Sequence, residues 1–364
     1  MKREPLVWTL LGVLPVFLVL AFTLGGLHHY PAYDFRAVWQ AGRDVAHGHD
    51  PYPTVASIPT NPAAQHDFFI YPGLVAVAMV PLGLLPFGVA AGIFTVILVA
   101  AVAAALRILG VRDWRCYGAA FASIPVLESF RLGALSPLLA LGLAGVWVLR
   151  DRRWALPVVV SAVVLAKLFL WPLFIWLLAT RRWGAAARSA LLTAAVGLIG
   201  WAVVGLDTIA PYPALLRKMT DVQFRNTVGA EGLLGSFGAG AATAHVGVEL
   251  VAVLGSAAIV VAARRGAAAE LTFGLTILVS LLASPIAWLH YDAVLLVPVA
   301  IASRWMSGWW LLPLALWISP QPLSDGSTWR IVLPMAVATA ATLGRPAVDG
   351  LIRWWPLRGV AQPG

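Results

Sequence analysis

Charge and cysteine are what this chain has least of. Only 11% of its 364 residues are charged, where soluble domains run nearer a quarter. So few charges exclude a surface solvated by water on all sides. With 60% hydrophobic residues and a mean hydropathy of +0.86, the chain reads as a polytopic membrane protein with lipid as its main solvent. The lone cysteine, Cys116, excludes a disulfide framework within the chain and any zinc-cluster spacing. No internal repeat is visible, so nothing points to an inverted-repeat transporter. The net charge of +9 would suit nucleic acid, but the cytoplasmic loops of membrane proteins carry Lys and Arg in any case.

What the chain has in abundance is apolar length. Apolar segments alternate with short basic clusters and predict spans at 6–27, 88–109, 116–128, 134–149, 154–166, 168–180, 184–205, 246–263, 270–286, 289–303, 308–319 and 329–343. The first follows Lys2 and Arg3, is long enough to cross, and has no clear small-x-small site behind it. It reads as an uncleaved span rather than a signal peptide. The stretch 71–109 contains Pro72, Pro81 and Pro86 and fits two crossings or one crossing plus a half-helix.

Charge decides between them. If 71–86 does not cross, 17 of the 25 Lys and Arg residues fall on the cytoplasmic side, and every short cytoplasmic connection is basic. If it crosses, the next four clusters land outside. The expectation is an all-α membrane protein of about twelve transmembrane helices, a single membrane-embedded domain over 1–364. Both termini are then cytoplasmic, and 71–86 is a re-entrant or interfacial element packed against protein. Loops 28–87, 206–245 and 319–329 then lie outside, with most acidic residues in or beside them.

The first of these loops opens with "PAYDFRAVWQAGRDVAHGHDPYP", residues 31–53. Phe35, Val38, Trp39 and Val45 share one helical face, with Arg36, Gln40, Arg43, Asp44 and His47 elsewhere. The pattern predicts an amphipathic helix on the outer membrane surface, ended by Gly48 and followed by a turn. Asp34 carries two readings: an N-cap of that helix, or a general base where the first span meets the outer leaflet. Asp44 and Asp50 read as solvated or turn-forming.

These residues carry a resemblance. "YDFRAVWQAGRDVAHGHDPYP" followed by "FFIYPGLVAVAMVPLGLLP" resembles the opening of polyprenol-phosphate-sugar-dependent glycosyltransferases of the GT-C superfamily. The nearest group is the actinobacterial one, with its α-mannosyltransferases and arabinofuranosyltransferases. Asp34-Phe35, Ala41-Gly42, Gly48-His49-Asp50-Pro51-Tyr52 and Phe69-Ile70-Tyr71-Pro72 fit its pattern, and Gly73 replaces a second proline. "VVLAKLFLWPLFIWLLATRRW" (163–183) resembles the group's Ala-x-Lys-x-x-Pro hairpin, with Pro172 displaced. "ASPIAWLHYDAVLLVP" (283–298) resembles its Ser-Pro-x-x-Trp-x-His-His segment, with Tyr291 at the second His. Gly133-Ala134-Leu135-Ser136 stands where the group has Gly-Gln-x-Asn.

The resemblance implies a GT-C-like bundle and inverting transfer of mannose or arabinofuranose. The donor is a polyprenyl-phosphate carrier and the acceptor a glycolipid or polysaccharide, on the extracytoplasmic face of the cell membrane. Such a transfer needs a base for the acceptor proton and cationic or hydrogen-bonding groups for the departing phosphate. No metal or other cofactor is expected, and no Asp-x-Asp motif is present. By resemblance Asp34 is the base.

The donor phosphate falls to Lys167, a cation in a tight apolar turn that is expensive unless functional or snorkelling, with His290 and Arg225. Substrate contacts fall to Trp39, Tyr71, Glu128, Arg131, Trp288 and Tyr291. Glu128 and Arg131 read equally as a structural ion pair, and Arg225 as a loop charge beside Asp221 and Glu231. Two other classes remain: a flippase or transporter of lipid-linked sugars, which would place ionisable groups mid-span, and a non-catalytic scaffold.

Overall fold

The computed structural model describes residues 4–29, 32–61, 68–319 and 327–354. Among them every regular element is helical. Four helices are long and apolar enough to cross a membrane: Glu4–Leu24, Phe87–Ile108, Trp183–Val204 and Ala241–Arg264. Phe17, Val96, Leu191 and Leu254 project from them largely exposed. Large side chains in that number on long apolar helices fit lipid rather than water.

Seven of the other eight expected spans are met by shorter or broken helices, and the last, 329–343, lies in the helix Trp329–Trp354. The span expected at 116–128 is two helices, Trp114–Phe121 and Ile124–Leu132, parted at Ser123. Ser123 is itself extended, at φ −74° and ψ 137°, and Pro125 in the first turn of the second helix has no N–H to continue the ladder. The span expected at 289–303 begins as a buried 3-10 run, Leu289–Leu295, before Leu296–Ala302 turns α-helical. Hydropathy sees such a run as one span, because it registers apolar length and not backbone pitch.

The expected amphipathic helix forms as Tyr33–Ala46, and Gly48 at φ +73° follows its end. Its apolar face does not lie on lipid, however. Phe35, Val38 and Trp39 are buried against protein, chiefly the helix Gly73–Gly83. That neighbour is 11 residues long, about 16 Å at 1.5 Å per residue, and so too short to cross a hydrocarbon core of about 30 Å.

The two helices touch backbone to backbone. A Cβ placed on Gly42 would lie 2.5 Å from the Met79 carbonyl, and one on Gly83 would lie 2.5 Å from the Arg43 nitrogen. Gly73, standing where the resembled group has proline, likewise meets the backbone of Gly200 on helix Trp183–Val204. The departure in sequence is thus a close helix–helix approach. Gly42→Val should cost about 1–3 kcal/mol through overpacking against main chain that cannot yield. It would be read as a lowered Tm of the purified protein, and an unchanged Tm would contradict the crossing.

The turn after the first of these helices is held as its residues suggest. The Tyr52 amide donates to Asp50 Oδ1 at 2.9 Å, and Gln40 Nε2 donates to Asp44 Oδ1 at 2.8 Å. Tyr52 Oη donates to the Tyr71 carbonyl at 2.9 Å, and Tyr212 Oη to the Ile70 carbonyl at 3.0 Å. The tyrosines so pin the "FFIYPG" stretch to the turn after Tyr33–Ala46 on one side and to the helix Tyr212–Gln223 on the other. The expected loop 206–245 is itself helical, with Tyr212–Gln223 and Ala230–Ser236. Of the loop 319–329, residues 320–326 lie outside the described residues.

Candidate active site

Five separate segments meet at Asp34, that of Tyr71 included. The chain reaches it through Ala32, which holds φ +35°, a left-handed conformation unusual without glycine. Ala32 is the N-cap of helix Tyr33–Ala46 and Asp34 lies in the first turn, so Asp34 is not the N-cap. Its Oδ2 has no hydrogen-bond partner. The carboxylate is left free of the structural duty that the sequence also permitted.

His290 faces it from the 3-10 run, with Nε2 3.4 Å from Asp34 Oδ2. No hydrogen bond closes between them, and Nε2 has no other partner. Both side chains are largely withdrawn from solvent, at 13% and 2% exposed. Lys167 comes from the tip of the hairpin between Ala155–Ala166 and Pro172–Ala179, where its extended backbone breaks the helix. Its Nζ is also buried without a hydrogen-bond partner. It lies over the Tyr291 ring at 3.7 Å and the Tyr71 ring at 5.3 Å, so aromatic faces hold the ammonium.

The fourth segment is the helix Ile124–Leu132. Arg131 Nη2 and Glu128 Oε2 pair at 2.6 Å, so the structural ion pair is formed. Both still act on the site: the field at Asp34 comes from Lys167 and Arg131, which favour its charge, and Glu128, which opposes it. The helix ends at Gly133, φ +64°, where a Cβ would lie 2.5 Å from the Phe35 Cβ. That contact sets the Arg131 end of the helix beside Asp34. Ser129, which the sequence did not single out, donates to the Pro125 carbonyl at 2.7 Å and approaches the His290 carbonyl at 3.4 Å.

Burial pushes the Asp34 carboxyl up to about 6, against the pull of Lys167 and Arg131. Burial draws the Lys167 ammonium down, and the Asp34 carboxylate partly restores it. A carboxylate made more basic, facing an imidazole and an aromatic-held cation, can accept a proton while an anion is held nearby. Asp292, next along the 3-10 run, is buried with Oδ2 unpartnered. Among the described residues no group of three His, Cys, Asp or Glu side chains is placed to hold a metal ion.

Asp34, Lys167, His290, Tyr71, Tyr291, Glu128 and Arg131 are therefore gathered together, with the Trp288 ring 5.8 Å from that of His290. Two other expected residues have partners of their own. Trp39 donates through Nε1 to the Leu85 carbonyl at 3.2 Å and packs edge-on against Phe87, a structural post for a residue read as lining a groove. The Arg225 guanidinium lies over the neighbouring Phe224 ring, and the cations that act on Asp34 are Lys167 and Arg131 instead.

Nor does Arg225 pair with the acids of its loop. His245 bridges them, with Nε2 2.7 Å from Asp221 Oδ1 and Nδ1 2.5 Å from Glu231 Oε1. Burial pushes the Glu231 carboxyl up to about 7. The loop docks beside the site through Thr227, whose Oγ1 donates to the Ala287 carbonyl at 2.9 Å and accepts from the Ala287 amide at 2.7 Å.

Comparison with known proteins bears on this geometry. The family model described as "Glycosyltransferase family 87" matches residues 69–285. Tyr71, Arg131 and Lys167 fall inside that stretch, with Asp34 and His290 flanking it. The chain is 26% identical over 314 residues to a polyprenol-phosphate-mannose-dependent alpha-(1-2)-phosphatidylinositol pentamannoside mannosyltransferase of Mycolicibacterium smegmatis. That alignment covers 79% of this chain and 72% of the relative. No solved structure matches significantly.

Proposed function

The chain belongs to glycosyltransferase family 87, and from that premise we propose that it transfers a mannosyl residue from a polyprenyl-phosphate donor to a glycolipid acceptor, with Asp34 as general base. The observation that carries this reading is the convergence of three buried polar tips without hydrogen-bond partners: Asp34 Oδ2, His290 Nε2 and Lys167 Nζ. The relative's printed name supplies the donor and suggests a phosphatidylinositol mannoside as acceptor.

In the proposed step Asp34 Oδ2 takes the acceptor hydroxyl proton as that oxygen attacks the anomeric carbon. The bond from that carbon to the phosphate oxygen breaks on the opposite face, with inversion. Polyprenyl phosphate departs as an anion toward Lys167, and His290 offers a second donor. Arg131 steadies the charge without leaving Glu128. A departing phosphate needs no strong general acid, and no residue is assigned that role. A donor with a lipid tail would need a site reached from the bilayer. The basic clusters support a reading with both termini in the cytoplasm and the site on the extracytoplasmic face.

Mass spectrometry of envelope glycolipids from a strain lacking the gene tests the reading. A glycolipid one hexose short should accumulate, and the wild-type gene should reverse this. An unchanged glycolipid profile with loss of a pentose polymer would point to arabinofuranose instead.

A further inference from the structure

A second charged concavity lies at the far ends of the Lys167 hairpin. It has a volume of about 380 Å³ and is lined by Arg150, Arg152, Arg153, Arg181, Arg182 and Arg188, with Asp151 as the one acid. The intervening helix Ala155–Ala166 has 12 residues, about 18 Å at 1.5 Å per residue. The cavity is thus separate from the candidate active site and lies at the opposite end of the hairpin.

Six guanidinium groups around one cavity repel each other, and little on the protein offsets them. Asp151 is already engaged, at 2.9 Å from Arg182 and 3.8 Å from Arg150. Arg182 holds its carboxyl below the usual range, so it stays ionised. Arg150 donates to the Trp147 carbonyl and Arg182 to the Arg150 carbonyl, so these two build the wall. Arg188 Nε is buried with no hydrogen-bond partner. Arg181 holds φ +60°, a conformation rare without glycine that often accompanies function.

Two helices also begin at this cavity, Ala155–Ala166 and Trp183–Val204, and neither has a side-chain cap. Their N-terminal dipoles add to the positive potential. Loop arginines that served topology alone would not need to converge on one cavity with a buried donor left over.

The surroundings identify the anion. Trp154 and Trp183 flank the cavity at 65% and 62% exposed, and Val158 and Leu191 are exposed beyond them. Exposed indoles next to exposed aliphatic side chains mark the headgroup level of a bilayer. We propose that this cavity binds the phosphate headgroup of an anionic membrane phospholipid, on the membrane face opposite the candidate active site. Guanidinium pairs grip phosphate oxygens bidentately, and the lipid chains would follow the aliphatic surface past the tryptophans. The inference rests on the membrane reading and not on the transfer reaction.

The test uses the full chain reconstituted in phosphatidylcholine vesicles containing a minor fraction of phosphatidylglycerol, with retained lipid counted by native mass spectrometry. Wild-type protein should retain phosphatidylglycerol over phosphatidylcholine. R181Q/R188Q should lower that retention by about tenfold or more through loss of two charge-assisted contacts. R264Q/R265Q removes equal charge outside the cavity and should retain lipid as wild type does. Excess inorganic phosphate should not displace the lipid. If R181Q/R188Q does not fold, R152Q/R153Q on the exposed turn serves in its place. Equal retention of both lipids, equal loss in the control variant, or displacement by inorganic phosphate would each overturn the proposal.

Discussion

Asp34→Asn should insert and fold as the parent does and lose transfer by about 10³-fold, within the range a general base contributes. The amide keeps the shape of the side chain and cannot take the acceptor proton. Stability should move the other way. The folded carboxyl sits at about 6 against an ordinary 3.8, so the folded state binds its proton more tightly than the unfolded chain does. That raised value means stability is greatest below about 3.8 and declines as pH rises through about 6. At neutral pH the ionised, buried carboxylate therefore costs about 2–3 kcal/mol, at 1.36 kcal/mol per unit. Asp34→Asn removes that cost, and its Tm at pH 7 should equal or exceed the parent's. A variant that is inactive because it is unfolded would show the reverse.

The same shift gives the wild-type pH dependence. The base form appears above about 6, so transfer rate should rise with pH through that value and then level off. A rate already flat from pH 5 to 7 would show that a group other than Asp34 sets the limb.

Lys167→Met should lower kcat/KM by about 10²–10³, the scale of losing one preorganised group that stabilises a departing anion. Methionine preserves the packing between the Tyr71 and Tyr291 rings and removes the charge. Lys167 also lowers the Asp34 carboxyl toward its ordinary value. Its loss should move the acidic limb of the pH profile to higher pH. That displacement separates an electrostatic role from a structural one. A lysine that merely packs in the turn would lower activity through stability and leave the limb in place. Lys167→Arg, which keeps the charge on a longer planar group, should recover part of the loss.

Much of the site was legible because its residues break local rules. A lysine within an apolar hairpin, a histidine at the start of an apolar run and an aspartate at the end of the first span are each costly where they stand. The ordered motifs around them carried the family resemblance. The sequence did not say that Asp34 and His290 would come within 3.4 Å, since their segments lie at nearly opposite ends of the chain. It left the N-cap reading open because Asp is good at both tasks. The left-handed turn at Ala32 that makes Ala32 the cap leaves no sequence signal of its own.

The partners of Trp39 and Arg225 were hidden for a common reason. A face can be read from spacing, but a partner across the fold cannot. Trp39 found the Leu85 carbonyl and Arg225 the Phe224 ring. The Asp221–His245–Glu231 bridge was hidden in the same way, since His245 begins a helix that reads only as a membrane span. The broken helices at Ser123 and Leu289–Leu295 escaped because an apolar run scores alike whether it is α-helical, 3-10 or kinked at proline.

Formation of a glycosidic bond from a lipid-phosphate sugar at Asp34 can be followed directly. Its most direct measurement uses purified wild-type and Asp34→Asn protein in proteoliposomes with polyprenyl-phosphate mannose labelled in the sugar and a phosphatidylinositol mannoside acceptor. Label should pass to the glycolipid as polyprenyl phosphate is released, with wild-type protein alone and no nucleotide sugar. Label that crosses the bilayer still attached to its carrier, or that transfers equally well with Asp34→Asn, would contradict transfer at Asp34.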